Sequence, residues 1–435
     1  MKPYQILDGL QLLRTQWKSR EEIEAIQERK LRALIRQAYD HVPYYRRIMD
    51  ARKLKPGDFR TALDLERLPL LSRNDLRGAP AAEFSDGTIP PGKCVAPTTS
   101  GTTGEPLRVL YRRKDWTIMN LTWLRAFQAS GMSPWQKRAA FTGSRGPEEG
   151  RHWYEYFGVW RRKDISTWLD RKAWIEAVRG WKPAALVGYA MTLHVFAEAV
   201  QKSRVSDIRP EFIFSTAGIL DPATRRVLND VFGAEVVDIY ASIESGCLAW
   251  ECRECRGYHL SEDTLVVEIL KDGRPARPGE SGEVVITNLH SFAMPLIRYR
   301  NGDEAALAGH EPRCGRGLRL LAGIQGRVND CVVFKSGERL SSQPFFFAVQ
   351  DIPGVRRWRI TQESFDRLHL EIEPTPEFDD SARQRILGNL KDLLRGEMSV
   401  TLSLVSSFPF DPDRKFRQVR SKLAGGSVRP GSAPD

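Results

Sequence analysis

Residues 221–244 read DPATRRVLNDVFGAEVVDIYASIE, and this stretch decides the fold. Asp221 has a short acceptor side chain suited to an N-cap, and Pro222 fits the first helical position, where a missing N–H costs nothing. Val227, Leu228 and Val231 then place apolar groups on one side of a helix, and Gly233 supplies the left-handed residue that ends it. The run Val236 to Ile239 follows at once and reads as a buried strand. Tyr240 and Glu244 therefore fall just past a strand's carboxyl end, where open α/β sheets hold ligands. Upstream, helical stretches alternate with the short apolar runs Ala139 to Thr142, Ala185 to Val187 and Phe212 to Ser215. That order predicts an α/β fold with a largely parallel sheet.

Further out the pattern changes. Residues 20 to 47 read as one amphipathic helix, with Ile23, Ile26, Leu31, Leu34, Ile35 and Ala38 on the buried side. Leu265 to Ile286 reads as hairpins, with Lys271-Asp272-Gly273-Arg274 as a turn, and predicts an antiparallel subdomain. After Gly326-Arg327 a smaller α+β pattern begins: strand Cys331 to Phe334, a helix around Gln343 to Gln350, strands Trp358 to Ile360 and Leu368 to Ile372, helix Asp380 to Arg395, and strand Val400 to Val405. The expected organisation is a large unit over 1–328, a small one over 329–424, and a Gly-, Ser- and Pro-rich tail over 425–435 that reads as disordered.

At 435 residues the chain exceeds what one core usually supports, and 41% apolar with 28% charged residues is the composition of a globular protein. Its net charge of +11 suits anionic ligands. The basic residues are scattered from Arg14 to Arg429 without a concentrated stripe, which argues against nucleic acid. The first residues lack an apolar h-region, and the most apolar window, Ala184 to Val200, carries His194 and Glu198; neither a secretory signal nor a membrane span is expected. Six cysteines in such a length do not make a disulfide framework, so a reducing, cytoplasmic setting is expected. Whether the chain is a monomer or a homodimer is left open.

Thr98-Thr99-Ser100-Gly101-Thr102-Thr103-Gly104-Glu105-Pro106 packs five hydroxyls and two glycines into nine positions. Such a loop can cradle phosphate with N–H and O–H donors that add no charge of their own. It is not a P-loop, because Glu105 stands where G-x-x-x-x-G-K-[ST] needs lysine. Read with Tyr240-Ala241-Ser242-Ile243-Glu244, Met294 to Asp303, Gly326-Arg327-Val328-Asn329-Asp330 and Lys415, in that order, the loop resembles the motif series of adenylate-forming enzymes. The likeness is to the phenylacetate-CoA ligase-like branch, which also includes proteins associated with capsular-polysaccharide loci, and it covers nearly the whole chain.

The resemblance implies a large adenylation unit and a small mobile α+β unit. It implies an enzyme that uses ATP and Mg2+ to convert a small carboxylic acid into an acyl-adenylate, and then passes the acyl group to a thiol, CoA above all. A carrier protein, an amine or a sugar are alternative acceptors, and a catalytically silent nucleotide-binding scaffold is the rival from another class. By resemblance Thr99, Ser100, Gly101, Thr102, Thr103 and Gly104 hold phosphate, Tyr240 lies near adenine, Asp303 accepts from the ribose hydroxyls, and Arg327 steadies the nucleotide. Glu244 would bear on Mg2+ and Lys415 on the substrate carboxylate and α-phosphate, with Asn329 as the hinge. The acyl pocket is expected around Tyr189, Ala217, Gly218 and Ser245. Ala241, Glu105 and Arg414 depart from the branch, which often has glycine, lysine and glycine at those places.

Cys252-x2-Cys255-x3-His259, with Cys314 further on, has the residue types of a zinc site. Two sulfurs from a tight turn plus His259 and Cys314 could complete a tetrahedron. Four protein ligands would leave no position for water, so such a site would be structural. A group of buried free thiols is the alternative.

Overall fold

The computed structural model describes residues 3–97, 107–142, 153–167, 169–218, 220–327, 331–336, 339–349, 352–408 and 417–423. Its central feature is a twelve-stranded sheet. One half is parallel and runs Arg162–Ser166, Arg138–Thr142, Ala185–Tyr189, Phe212–Thr216, Glu235–Ser242 in space. Helices Arg171–Trp181, Ala190–Lys202 and Pro222–Phe232 accompany these strands. Trp174, Phe196, Ile213 and Leu228 are among the residues of the core on that side.

The helix at 222–232 forms as its sequence dictates. The Asp221 carboxylate accepts from the Thr224 N–H, Pro222 opens the helix, and Gly233 closes it at φ 63°. The strand that follows is longer than the sequence reading places it. It runs Glu235–Ser242, so Tyr240 lies within the strand, and Glu244 alone of the two sits beyond its end. Pairing with the next strand, Gly246–Glu251, extends the ladder to Ser242.

That pairing is antiparallel, and every later junction of the sheet is antiparallel too: Tyr258–Leu260, Leu320–Arg327, Tyr299–Leu307, Ser281–Asn288, Leu265–Lys271 and the short edge Arg274–Pro275. The expected antiparallel part thus continues the parallel sheet rather than standing apart from it. The turn at Asp272 (φ 50°) and Gly273 (φ 80°) has both central residues left-handed, the geometry that suits the right-handed twist of a hairpin.

The single helix expected over 20–47 is two helices, Arg20–His41 and Pro43–Ala51. Val42 is extended at φ −119°, ψ 114°. Pro43 causes the break, because its ring disfavours the α region for the preceding residue.

A second, four-stranded sheet has the order Ser399–Leu404, Arg367–Pro374, Val355–Ser364, Val419–Ser421. With helices Ser342–Val349 and Asp380–Leu393 it encloses its own core of Trp358, Ile360, Leu370, Ile386 and neighbours. The change of sheet falls between Arg327 and Cys331, and both the 328/329 boundary and the 425–435 tail lie outside the described residues. No described helix is long and apolar enough to cross a membrane.

Candidate active site and metal cluster

Where the sheet switches from parallel to antiparallel, the turn 242–246 carries Glu244. Two side chains grip its backbone. The Tyr111 hydroxyl donates to the Ile243 carbonyl (2.8 Å) and lies 3.2 Å from that of Glu244, which also accepts from the Asn288 amide at 2.8 Å. Burial, then the Glu244 charge, raises the Tyr111 phenol well above its ordinary pKa, so it remains a donor. The Glu244 side chain is buried and accepts from the Tyr299 hydroxyl at 3.3 Å. Gly246, at φ 68°, lets the turn approach the helix Arg113–Ala129; an added Cβ would lie 3.1 Å from the Met119 carbonyl oxygen.

Asp303 reaches the same region through a bulge. The register between Ser281–Asn288 and Tyr299–Leu307 jumps from Val285↔Arg300 to Glu283↔Glu304, so Asn301, Gly302 and Asp303 oppose Val284 alone. Gly302 takes φ 81° to allow it. Bulges of this kind re-aim side chains beside sites. The Tyr240 hydroxyl donates to Asp303 Oδ2 at 2.6 Å, and the Asn301 amide donates to both, at 2.7 and 2.6 Å. Asp303 is also the direct cross-strand partner of Arg327. Three of the nucleotide-side residues chosen from sequence are therefore neighbours in sequence-distant pairs: Tyr240 with Asp303, 63 positions on, and Asp303 with Arg327.

The acyl-side residues end adjacent parallel strands. Tyr189 pairs with Thr216 across the sheet, and Ala217 follows at φ 58° with Gly218 exposed beside it. A left-handed alanine stores about 1–3 kcal/mol of strain, which marks the position as a constrained one. Burial raises the Tyr189 phenol pKa. Ser245 is fully buried and its hydroxyl is engaged with Ser242 Oγ (2.9 Å) and the Gly246 carbonyl (3.1 Å). Thr99, Ser100, Gly101, Thr102, Thr103, Gly104, Asn329 and Lys415 lie outside the described residues.

Sequence reasoning missed Asn301, Tyr299, Tyr111 and Asn288. The first two stand inside the quoted 294–303 segment, and Gly302 is the available sign of a bulge there. Nothing local marks Tyr111 or Asn288, which reach the turn through tertiary folding.

The other cluster closes on itself. Ligating atoms of Cys252, Cys255, His259 and Cys314 all lie within 4.8 Å of one another. Cys314 Sγ is 3.2 Å from His259 Nε2, and His259 Nδ1 is 3.3 Å from the Leu318 carbonyl. Burial pushes the His259 imidazole down to about 4, so at neutral pH it is uncharged, the form that binds metal. Burial pushes the Cys252 thiol up to about 11, a cost that a bound cation would offset. The four donors fit a tetrahedral N/S site, with the Leu318 carbonyl orienting the ring from behind.

No family model matches the chain. Curated relatives include the phenylacetate-coenzyme A ligase of Thermus thermophilus, 27% identical over 92% of this chain and 96% of that one. The Escherichia coli K12 enzyme of the same name is 29% identical over 74% of this chain and 75% of its own. Among solved structures, 2-hydroxyisobutyryl-CoA ligase in its postadenylation state superposes at TM-score 0.80 with 21% identity, covering 94% of this chain and 92% of that one. The same ligase in its thioesterification state gives 0.63, with 23% identity and 94% and 91% coverage. The fold is that of the adenylate-forming CoA ligases. Within that class, the sequence likeness is to the phenylacetate-CoA ligase-like branch.

Proposed function

We propose that this protein is an AMP-forming acid–thiol ligase. A carboxylate oxygen attacks the α-phosphorus of ATP, the bond to the β-phosphate oxygen breaks, and pyrophosphate leaves; a thiolate, best matched by CoA, then attacks the acyl carbonyl and AMP departs. The observation that supports this reading most is the convergence of Tyr240, Asn301 and Asp303, with Arg327 across the strand and Glu244 one turn away, in a fold shared with CoA ligases. In this reading Asp303 receives the ribose hydroxyls, held for that purpose by Tyr240 and Asn301. The hydroxyl and glycine loop at 98–106 supplies donors to the phosphates. Lys415 meets the charge that builds between carboxylate and α-phosphate.

Mg2+ would neutralise charge on the departing pyrophosphate, and Glu244, a buried carboxylate with a tyrosine hydroxyl on one oxygen, is the residue that would hold it. The units 1–328 and 329–424 would move about Asn329 between the two half-reactions. Zn2+ at Cys252, Cys255, His259 and Cys314 would be structural, tying the loop after Gly246–Glu251 to the segment before Leu320–Arg327. Tyr189, Ala217, Gly218 and Ser245 would border the acid, whose walls suit an aromatic or apolar group.

Incubation with ATP, Mg2+, CoA and a panel of aryl, fatty and hydroxy acids tests the reading. AMP and an acyl-CoA thioester formed in equal amounts are expected from at least one acid. Release of ADP in place of AMP would contradict it.

A further inference from the structure

A polar bridge joins the small sheet to the large unit. Glu198, on helix Ala190–Lys202, faces Arg356 at the start of strand Val355–Ser364, with Oε1 to Nε 3.7 Å. Arg356 reaches back to Glu373 on the neighbouring strand (3.6 Å), and Arg357, the cross-strand partner of Glu373, binds that carboxylate at 3.1 and 3.2 Å. A second amino group of Arg357 lies 4.0 Å from the sulfur of Met191, the second residue of the same large-unit helix. Glu373 is buried and also accepts the Phe408 N–H at 3.0 Å, while the Arg359 guanidinium covers the Phe408 ring at 4.7 Å. On the other side His194 Nε2 stands 3.7 Å from Glu198, and its Nδ1 is 3.2 Å from the Thr224 hydroxyl. The bridge is continuous from helix Pro222–Phe232, through His194, Glu198, Arg356 and Glu373, to the backbone where the strand Ser399–Leu404 has just ended.

Two unlike features make this a docking contact rather than scattered surface charge. Glu198 is drawn down to about 2 by its neighbour His194 first, with Arg357 and Arg356 adding, so it is an anion near neutral pH. The crossing pair, Arg356 and Glu198, is partly covered, with side chains 38% and 19% exposed, and within the small unit it is backed by Arg357 and Glu373, at 11% and 3%.

We infer that Glu198 is a positioning residue for the first half-reaction: by pairing with Arg356 it holds the small unit in the arrangement that forms the acyl-adenylate, and the bridge must part before thioester formation. The inference rests on the acid–thiol ligase reading for its chemical consequence. Its direction comes from the unit arrangement. Over the same 94% of this chain, the match to 2-hydroxyisobutyryl-CoA ligase is 0.80 for the postadenylation state and 0.63 for the thioesterification state.

The test measures the half-reactions separately in Glu198→Gln, Arg356→Gln, the double variant and Glu198→Asp, each first shown to melt like the parent. Pyrophosphate exchange should slow about 3–10-fold in either single variant, the size of a partly exposed charge pair. Thioester formation from supplied acyl-AMP should be unchanged. The double variant should be no slower than the singles, because both break one bridge, and Glu198→Asp should recover part of the rate. Equal losses in both half-reactions, or additive losses in the double variant, would overturn the inference. X-ray scattering in solution provides a readout that needs no turnover: Glu198→Gln should be more extended than the parent. If no acid supports exchange in the parent, the ligase reading fails on its own, and an unchanged scattering curve for Glu198→Gln would separately remove the bridge.

Discussion

The two clusters on the antiparallel half of the sheet use their polar atoms in opposite ways. At Cys252, Cys255, His259 and Cys314 the donors point at one another within 4.8 Å, around a space the size of one ion. At Tyr240, Asn301 and Asp303 two donors converge on a single carboxylate oxygen, Oδ2, and orient the group. A closed set can stabilise but has nowhere to bind substrate; an oriented carboxylate on a bulge is arranged for a ligand from outside. Under the proposed function, substitutions in the two places should fail differently.

The largest effect is expected where charge develops. Lys415→Ala should slow acyl-AMP formation by about 10²–10³-fold with ATP binding nearly intact; stopped-flow or quench measurement of the first turnover at saturating ATP checks it, and a parental rate would show that the lysine is misassigned. On the ligand-facing cluster, Asp303→Ala should raise the KM for ATP by about 10–100-fold, while Tyr240→Phe, which removes one donor to a charged acceptor, should cost about tenfold. Titration calorimetry with ATP orders the two. A larger loss for Tyr240→Phe than for Asp303→Ala would mean that the tyrosine meets the nucleotide directly.

The closed cluster should behave otherwise. Purified protein should carry roughly one zinc per chain, and Cys252→Ser with Cys314→Ser should remove it and lower the melting temperature without a selective change in turnover per folded molecule. Metal analysis by emission spectroscopy decides the first part; absence of zinc from freshly purified protein ends the idea.

The smallest effect concerns Asp238, buried two residues before Tyr240 on the same strand. Burial, then Glu251, raises its carboxyl from 3.8 to about 7, while the Tyr258 hydroxyl donates to it at 3.0 Å. The raised folded value means that the folded state binds the proton more tightly, so this contribution to stability is complete below about pH 4 and lost as pH rises through about 7. Asp238→Asn should flatten the fall in melting temperature between pH 5 and 8 without abolishing folding. An unchanged slope would mean that Asp238 stays ionised in the folded protein.

Much of the scaffold was legible because short-range chemistry dictates it. Asp221, Pro222 and Gly233 bound their helix as read, the Asp272-Gly273 turn formed, and three of the small sheet's four strands fell where the apolar runs stand, Val419–Ser421 being the one not read. Pro43 was misjudged: the helix was read on to residue 47 although its apolar stripe ends at Ala38, and the conformational limit on Val42 prevailed. The fusion of the parallel and antiparallel halves was illegible, because strand partners are chosen by tertiary packing. Tyr240 and Asp303, chosen from separate motif segments, stand within hydrogen-bond reach of each other. Asn288 and Tyr111 were not legible, since they act on Glu244 from 44 and 133 positions away.

The central claim, that this site activates a carboxylic acid on ATP, is tested most directly by exchange of labelled pyrophosphate into ATP with Mg2+ and no thiol, across aryl, fatty and hydroxy acids. The account predicts exchange that depends on one class of acid and falls by about 10²–10³-fold in Lys415→Ala. No acid-dependent exchange in folded protein that binds ATP would contradict it and leave a nucleotide-binding scaffold in its place.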